Sequence, residues 1–254
     1  MSKFQVINIS RCFGYSWILL GHVALFYLII QQEWTLLLLS LFMHYLISQF
    51  GISLTYHRSI SHSAVDLPIW IESLGVFLAG LSLQGGPIAW ATVHRQHHAR
   101  QNTSMDPHSP KKLGSIFIHL FGYSFSKIDA RYAVKLMQIP RYVWWHKYYY
   151  WIYLPILFGS FLCLPVNLAL SLFWAPIAIV FQFENFVNTW THSWNQDIPV
   201  NVPLANLFVL GEAYHKSHHD NPQNLIFHQH DILGVIANYF FNKKYLIKKP
   251  TGST

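Results

Sequence analysis

Charged side chains are scarce. Asp, Glu, Lys and Arg make up 11% of the 254 residues and hydrophobic residues 52%, where a soluble domain carries about 25% charged. With a positive mean hydropathy, that deficit argues against a soluble core and for one membrane-embedded bundle with a soluble cap. Cysteine is nearly missing. Cys12 and Cys163 both sit in apolar stretches, which excludes a disulfide framework or a CxxC metal site and leaves small core hydrophobes as their reading. No basic run interleaved with aromatics occurs, so the net charge of +7 points to a membrane surface and no nucleic-acid partner is expected. A cleavable signal is not expected: the polar start through Arg11 is short, and the apolar stretch after it runs on without a small-residue cleavage site. Internal repeats and low-complexity tracts are absent.

What is present begins with paired apolar runs. Cys12–Gln32 and Trp34–Thr55 are each about long enough to cross a bilayer, with Glu33 at the turn between them. Tyr148–Phe183 holds no charged residue in 36 positions. As one helix it would rise about 54 Å, too far for a core of about 30 Å, so it reads as a hairpin turning at Leu164-Pro165-Val166-Asn167. The expected fold is all-α integral membrane, a single domain over 1–254. Four transmembrane helices (12–32, 34–56, 149–167 and 169–190) form two hairpins, with a cytoplasmic helical cap from 57–147 and 191–254. Lys and Arg are missing from both hairpins but crowd the 95–147 segment, and Lys3, Arg11, Lys243, Lys244, Lys248 and Lys249 mark the ends. The positive-inside rule then puts both termini and the cap in the cytoplasm. Residues 63–93 carry Asp66 and Glu72 and must begin and end on one side. An interfacial helix from Pro68 to about Leu81 is preferred there over two short spans.

Histidine is the anomaly. There are 16, against ten acidic residues, and eight fall into HRSISH (His57, His62), HRQHH (His94, His97, His98) and HKSHH (His215, His218, His219). On a helix HxxHH aims three imidazoles one way. The five-residue step from His57 to His62 separates them by about 140° on an α-helix, which suits ligands for two metals or a helix ending between them. Imidazole accepts iron, copper, zinc and nickel alike. HExxH is missing, which removes a metalloprotease helix, and a pair of Glu-x-x-His motifs is missing, which removes the soluble carboxylate di-iron template. His22, His44, His119 and His146 read as hydrogen-bonded packing residues.

The ordered motifs HRSISH, GGPIAWATVHRQHH, DPHSP, NTWTH and NLFVLGEAYHKSHH resemble those of membrane fatty-acyl desaturases, in particular the delta-9 acyl-CoA branch and its bacterial relatives, over roughly residues 45–220. The resemblance implies a non-haem di-iron centre that uses O2 to form a cis double bond in a saturated acyl chain, most readily acyl-CoA, with an acyl-lipid as the alternative. It implies nine ligands, the eight motif histidines and His192, with Asn188 binding one metal through a water. Asp106 and Glu212 match positions that hold the ligands from behind, a role imidazole N–H groups require. Gln84 and Trp90 match the acyl tunnel. Arg95, Arg100, Lys111 and Lys112 could meet the phosphates of an acyl carrier, or they simply mark a cytoplasmic loop. No fused electron carrier is expected after His219, so a separate ferredoxin, rubredoxin or cytochrome b5 type protein would supply electrons. The compact length points to a bacterial inner membrane. Rival readings are a hydroxylase or ketolase on the same scaffold and a non-catalytic metal-binding membrane protein such as a transporter. Transporter sites, however, lie near the midplane, whereas these histidines lie at the ends of apolar runs.

Overall fold

Helices supply every regular element of the computed structural model. It describes residues 3–101, 103–123 and 126–241 (side chains from residue 15 on), and no strand occurs among them. Helix α1 (Lys3–Ile30) turns back through Gln32, at φ 57°, into α2 (Trp34–Tyr45). Without a break α2 continues as a π-helical segment, Leu46–Ser61. Side chains support its wide turns, because hydroxyls of Thr55 and Ser61 donate to the carbonyls of Phe50 and Tyr56, five residues back, at 2.9 and 2.7 Å. The Arg58 guanidinium makes the same step back to Ser53 O. A π-turn closes i→i+5 rather than i→i+4, and these bonds follow that spacing.

Helices α3 (Ile69–Gly80), α4 (Pro87–Arg100), α5 (Pro110–Leu113), α6 (Ser115–Phe121) and α7 (Pro140–Lys147) follow the π segment. The preferred helix over 68–81 is therefore present as α3. It lies against the π segment through small residues. A Cβ on Gly51 would stand 2.5 Å from Ala79 N, and one on Gly75 would overlap Thr55. Glu72 on the same helix is buried, held by Arg141 at 2.7 Å and Tyr142 at 2.9 Å.

The second hairpin is α8 (Tyr149–Cys163), α9 (Val166–Ala169), a π turn Leu170–Trp174, and α10 (Ala175–Trp190). The turn is tighter than expected. Only Leu164 and Pro165 are non-helical, and Val166 and Asn167 already belong to the second leg. Proline lacks the N–H that α8 would need, and it forces Leu164 into an extended conformation (φ −131°, ψ 153°). Cys163 is exposed rather than in the core. The hairpins lock at their turns, where Asn167 Nδ2 donates to Glu33 Oε1 at 2.7 Å and Ser40 Oγ donates to Ser171 O at 3.0 Å. Trp34–Ser61 and Val166–Trp190 are long and apolar enough to cross a membrane, and Tyr15–Ile30 and Tyr149–Cys163 are shorter apolar helices. The chain closes with α11 (Asn206–Val209), α12 (His215–Asp220) and α13 (Ile232–Phe241). The termini with Lys243, Lys244, Lys248 and Lys249 lie outside the described residues, as do the side chains of Lys3, Arg11 and Cys12.

Two of the four packing histidines behave as expected. His22 meets Ile18 O and Gln182, and His119 accepts from Thr189 at 2.9 Å. His44 does not: it is fully buried with no hydrogen-bond partner on either ring nitrogen, its ring 4.7 Å from Phe183. His146 is exposed over part of its surface, while its ring Nδ1 lies against Gly86. Gly75→Val is expected to destabilise the fold by about 1–3 kcal/mol through overpacking, read as a lower thermal midpoint of the purified protein in detergent.

Candidate metal centre

Four pieces of chain deliver the histidines. His57 lies in the π segment and His62 caps it, with His62 N donating to His57 O at 3.1 Å. Because the backbone here is wound in wide i→i+5 turns, the two rings come to the same side, with centroids 5.0 Å apart. The expected separation of about 140° held for an α-helix and is overturned by the π geometry, although the helix does end at Ser61, just before His62. His94, His97 and His98 project from α4, and His215, His218 and His219 from α12. His192 follows the C-terminus of α10.

These nine side chains fall into two groups whose ligand atoms lie within 4.8 Å of one another: His57, His62, His94, His98 and His218, and His97, His192, His215 and His219. Their Nε2 atoms face each other. His62 meets His94 at 2.7 Å, His98 meets His218 at 2.8 Å, His57 meets His218 at 3.0 Å, and His215 meets His219 at 3.0 Å. Both ring nitrogens of His192 are buried without a partner. Two imidazoles can share a proton, but a ring of several cannot satisfy every lone pair that way. A cation at the centre of each group can, and neutral imidazole is its natural donor. Burial, and then repulsion among the rings, holds His94, His97, His215 and His218 well below the ordinary histidine range and His98 at about 3. Burial likewise lowers His192 to about 4. These six rings thus favour the neutral form, the one that ligates.

Carboxylates fix two rings from behind. His57 Nδ1 donates to Glu212 at 3.0 Å, and His97 Nδ1 donates to Asp106 at 3.0 Å. Each bond leaves Nε2 unprotonated and aimed into its group. Burial pushes the Glu212 carboxyl up, but the neighbouring His57 and Arg58, with their hydrogen bonds, outweigh it and hold the group at about 2. Burial dominates at Asp106 and lifts it to about 7. His108 stacks on His97 with centroids 4.1 Å apart, and its backbone N–H donates to Asp106.

A cavity opens beside both groups. Ile52, Trp90, Val93 and Val187 supply apolar wall, and Gln84, Glu184 and Asn188 supply polar atoms. Trp90 stacks on His94 at 5.1 Å, and the Gln84 amide nitrogen is buried without a partner. The cationic side chains lie elsewhere. Arg95 donates to the Ser61 and Ile60 carbonyls at 3.0 and 2.8 Å, closing the open end of the π segment. Arg100 donates to the Tyr132 hydroxyl, Lys112 to Ser104 O, and Lys111 is exposed.

The profile of the fatty acid desaturase family matches residues 32–238. The chain belongs to this family. Desaturases are oxidoreductases, and so is this protein. It is 29% identical to the sn-2 palmitoyl-lipid 9-desaturase of Nostoc sp. (strain 36), over 87% of this chain and 85% of that one. It is 30% identical to delta-9 acyl-lipid desaturase 2 of Arabidopsis thaliana, over 78% of this chain and 70% of the relative. It is also 30% identical to the acyl-CoA C20 delta5-desaturase of Anemone leveillei, over 67% and 58%.

Two residues escaped the sequence reading of this desaturase. Arg58 has no exposed surface. It donates to Ser53, to Glu212 at 2.8 Å, to Asp231 at 3.0 Å and to Leu225 O at 3.2 Å, with Phe227 beneath its guanidinium. Asp231, fully buried, is its second counter-ion. The available signal was a charge at the end of an apolar run, wedged inside a histidine motif, where little solvent can reach it. Arg58→Met would leave Asp231 buried without its counter-ion and Glu212 with only its bonds to His57 and Ser53. It is expected to cost about 3–5 kcal/mol, measured by denaturant unfolding in detergent, with a larger loss than Arg131→Met at the exposed Arg131–Asp129 pair.

Proposed function

We propose that this desaturase forms a cis double bond at the delta-9 position of a saturated acyl chain, using two irons and O2. One iron would be held by His57, His62, His94, His98 and His218. The other would be held by His97, His192, His215 and His219, with Asn188 reaching it through a water. The observation that carries this reading is the pair of converging imidazole groups at the wall of one cavity in a member of this family. When bound, the metal pair supplies the O2-derived oxidising power that an unactivated methylene requires.

The chain's own residues would do the rest. Glu212 and Asp106 keep His57 and His97 in the tautomer that donates outward and leaves Nε2 free. Ile52, Trp90 and Val187 line the cavity with apolar surface that suits a hydrocarbon and excludes water from the reacting carbons. Gln84 and Glu184 interrupt that surface with polar atoms. Four spans in two hairpins, both termini inside and a cytoplasmic cap are the proposed topology, supported by the two long apolar helices and the placement of Lys and Arg. Reducing equivalents would come from a separate small electron-transfer protein. Of the possible carriers, an acyl-lipid is favoured by the relatives matched over most of their length, whereas the resemblance of the motifs had favoured acyl-CoA.

The test is the fatty-acid profile of a desaturase-deficient host expressing this chain beside His97→Ala. A new cis-monounsaturated acid, lost in the variant, is the expected outcome, and its position and chain length are read from the same sample. Iron-loaded protein that yields a hydroxylated acid instead would sink the reading. Membranes from that host, supplied in turn with labelled saturated lipid and labelled acyl-CoA, are expected to convert the lipid-bound chain first. The metal content should be about two irons per chain, falling to about one in His62→Ala if each histidine group holds its own ion.

A further inference from the structure

Helix α13 carries an apolar face that no part of the described chain covers. Ile232, Val235, Ile236, Tyr239 and Phe240 are 54%, 45%, 49%, 82% and 68% exposed. They follow one another at steps of three, one, three and one, the spacing of one face of an α-helix. The opposite face is already used: Ala237 is buried against Leu54, with Phe50 and Leu233 packed around them. Phe50 and Leu54 belong to the Trp34–Ser61 helix, so α13 lies directly alongside a segment able to cross the bilayer. Its neighbour α11 is tied to the same place. Tyr45 donates to Leu207 O at 2.6 Å, and Asn206 donates to His230 O at 2.9 Å. Leu207 is itself 68% exposed, which extends the apolar patch toward the spanning helix.

The sequence says what covers this face. From Ile232 onward there is no acidic residue, and Lys243, Lys244, Lys248 and Lys249 follow the helix within a few residues. Two copies of such a surface would repel each other, whereas an anionic leaflet would attract both its parts. We infer that α13 is an interfacial anchor, lying in the plane of the membrane with Ile232, Val235, Ile236, Tyr239 and Phe240 sunk about 5–10 Å into the headgroup–acyl boundary of an anionic leaflet, the surface that the four lysines of the sequence after it favour. The placement rests on the membrane reading above. It has a consequence for the site as well. Asp231, which precedes the helix and accepts from Gly234 N at 2.9 Å, is the counter-ion of Arg58, and Arg58 holds Glu212 behind His57. Seating α13 on lipid therefore braces the carboxylate that orients a histidine.

The test uses the full chain in vesicles, with Cys12→Ser and Cys163→Ser to clear native thiols. Spin labels are placed at Val235→Cys, at Tyr239→Cys and, as a control on the face of α2, at Phe42→Cys. In phosphatidylcholine vesicles containing phosphatidylglycerol, dissolved O2 is expected to relax all three labels several-fold more effectively than a water-soluble nickel chelate. Replacing all four lysines with Gln is expected to reverse that preference at 235 and 239 while leaving 42 unchanged. A water-type response at 235 and 239 with a lipid-type response at 42 would overturn the anchor and leave the membrane reading standing. A water-type response at 42 too would overturn both. Labels at 235 and 239 shielded from both relaxants, but released when the protein is diluted in lipid, would mean that a second copy covers the face, and the anchor would again be wrong. If the lysine replacements change nothing, the headgroup contact is refuted.

Discussion

Nine imidazoles crowded into a buried space with their lone pairs inward make an unusual demand on a protein. Each ring must stay neutral, must be held in one tautomer, and must be kept from turning its unprotonated nitrogen toward some easier partner. Desolvation meets the first demand, since charging any one ring would place a cation among its neighbours in a medium that solvates it poorly. Backing carboxylates meet the second at His57 and His97. The third is met by rigid delivery from helices: the π segment with its cap, α4, and α12 each present their rings on one face, and His192 completes the set from the end of α10.

Glu212 is where that demand meets the rest of the fold. It backs His57, accepts from Ser53 and pairs with Arg58, whose guanidinium in turn holds Asp231 at the start of the last helix. A buried ion pair of this kind contributes little net stability against an apolar replacement, but it is costly to break from one side. Its worth here lies in registration. The first histidine motif lies more than 150 residues of sequence before both Glu212, at the third motif, and Asp231, at the C-terminal helix, and one guanidinium with a fixed planar fork links all three. Arg95 acts similarly on a smaller scale, spanning from α4 to the last carbonyls of the π segment and so fixing the second motif against the first.

Around this polar centre the chain is built almost wholly of apolar helices. Close backbone approaches at Gly51 and Gly75 let α3 sit against the π segment, while serine and asparagine bonds clasp the two hairpins at their far turns. The cavity inherits both characters. Its wall is apolar where Trp90, Ile52 and Val187 line it and polar where Gln84, Glu184 and Asn188 interrupt it, beside the histidine groups.

The sequence by itself was enough for the helical class, the paired apolar hairpins, the helix over 68–81 and eight of the nine histidines, because hydropathy and HxxHH spacing are local signals that a helix translates directly into a face. His192, in NTWTH, became legible only through the family's motif, since a single histidine carries no periodicity. The sorting into groups of five and four could not be read, nor could the roles of Arg58 and Asp231, because partners so distant along the chain meet only after folding. The π geometry stayed hidden for a different reason. Spacing was interpreted on a 3.6-residue turn, and only hydroxyls reaching five residues back, seen in three dimensions, show that His57 and His62 share a face. Residue pattern decided which groups could bind metal; the tertiary packing decided which would share one, because that depends on distances between helices that no local periodicity encodes.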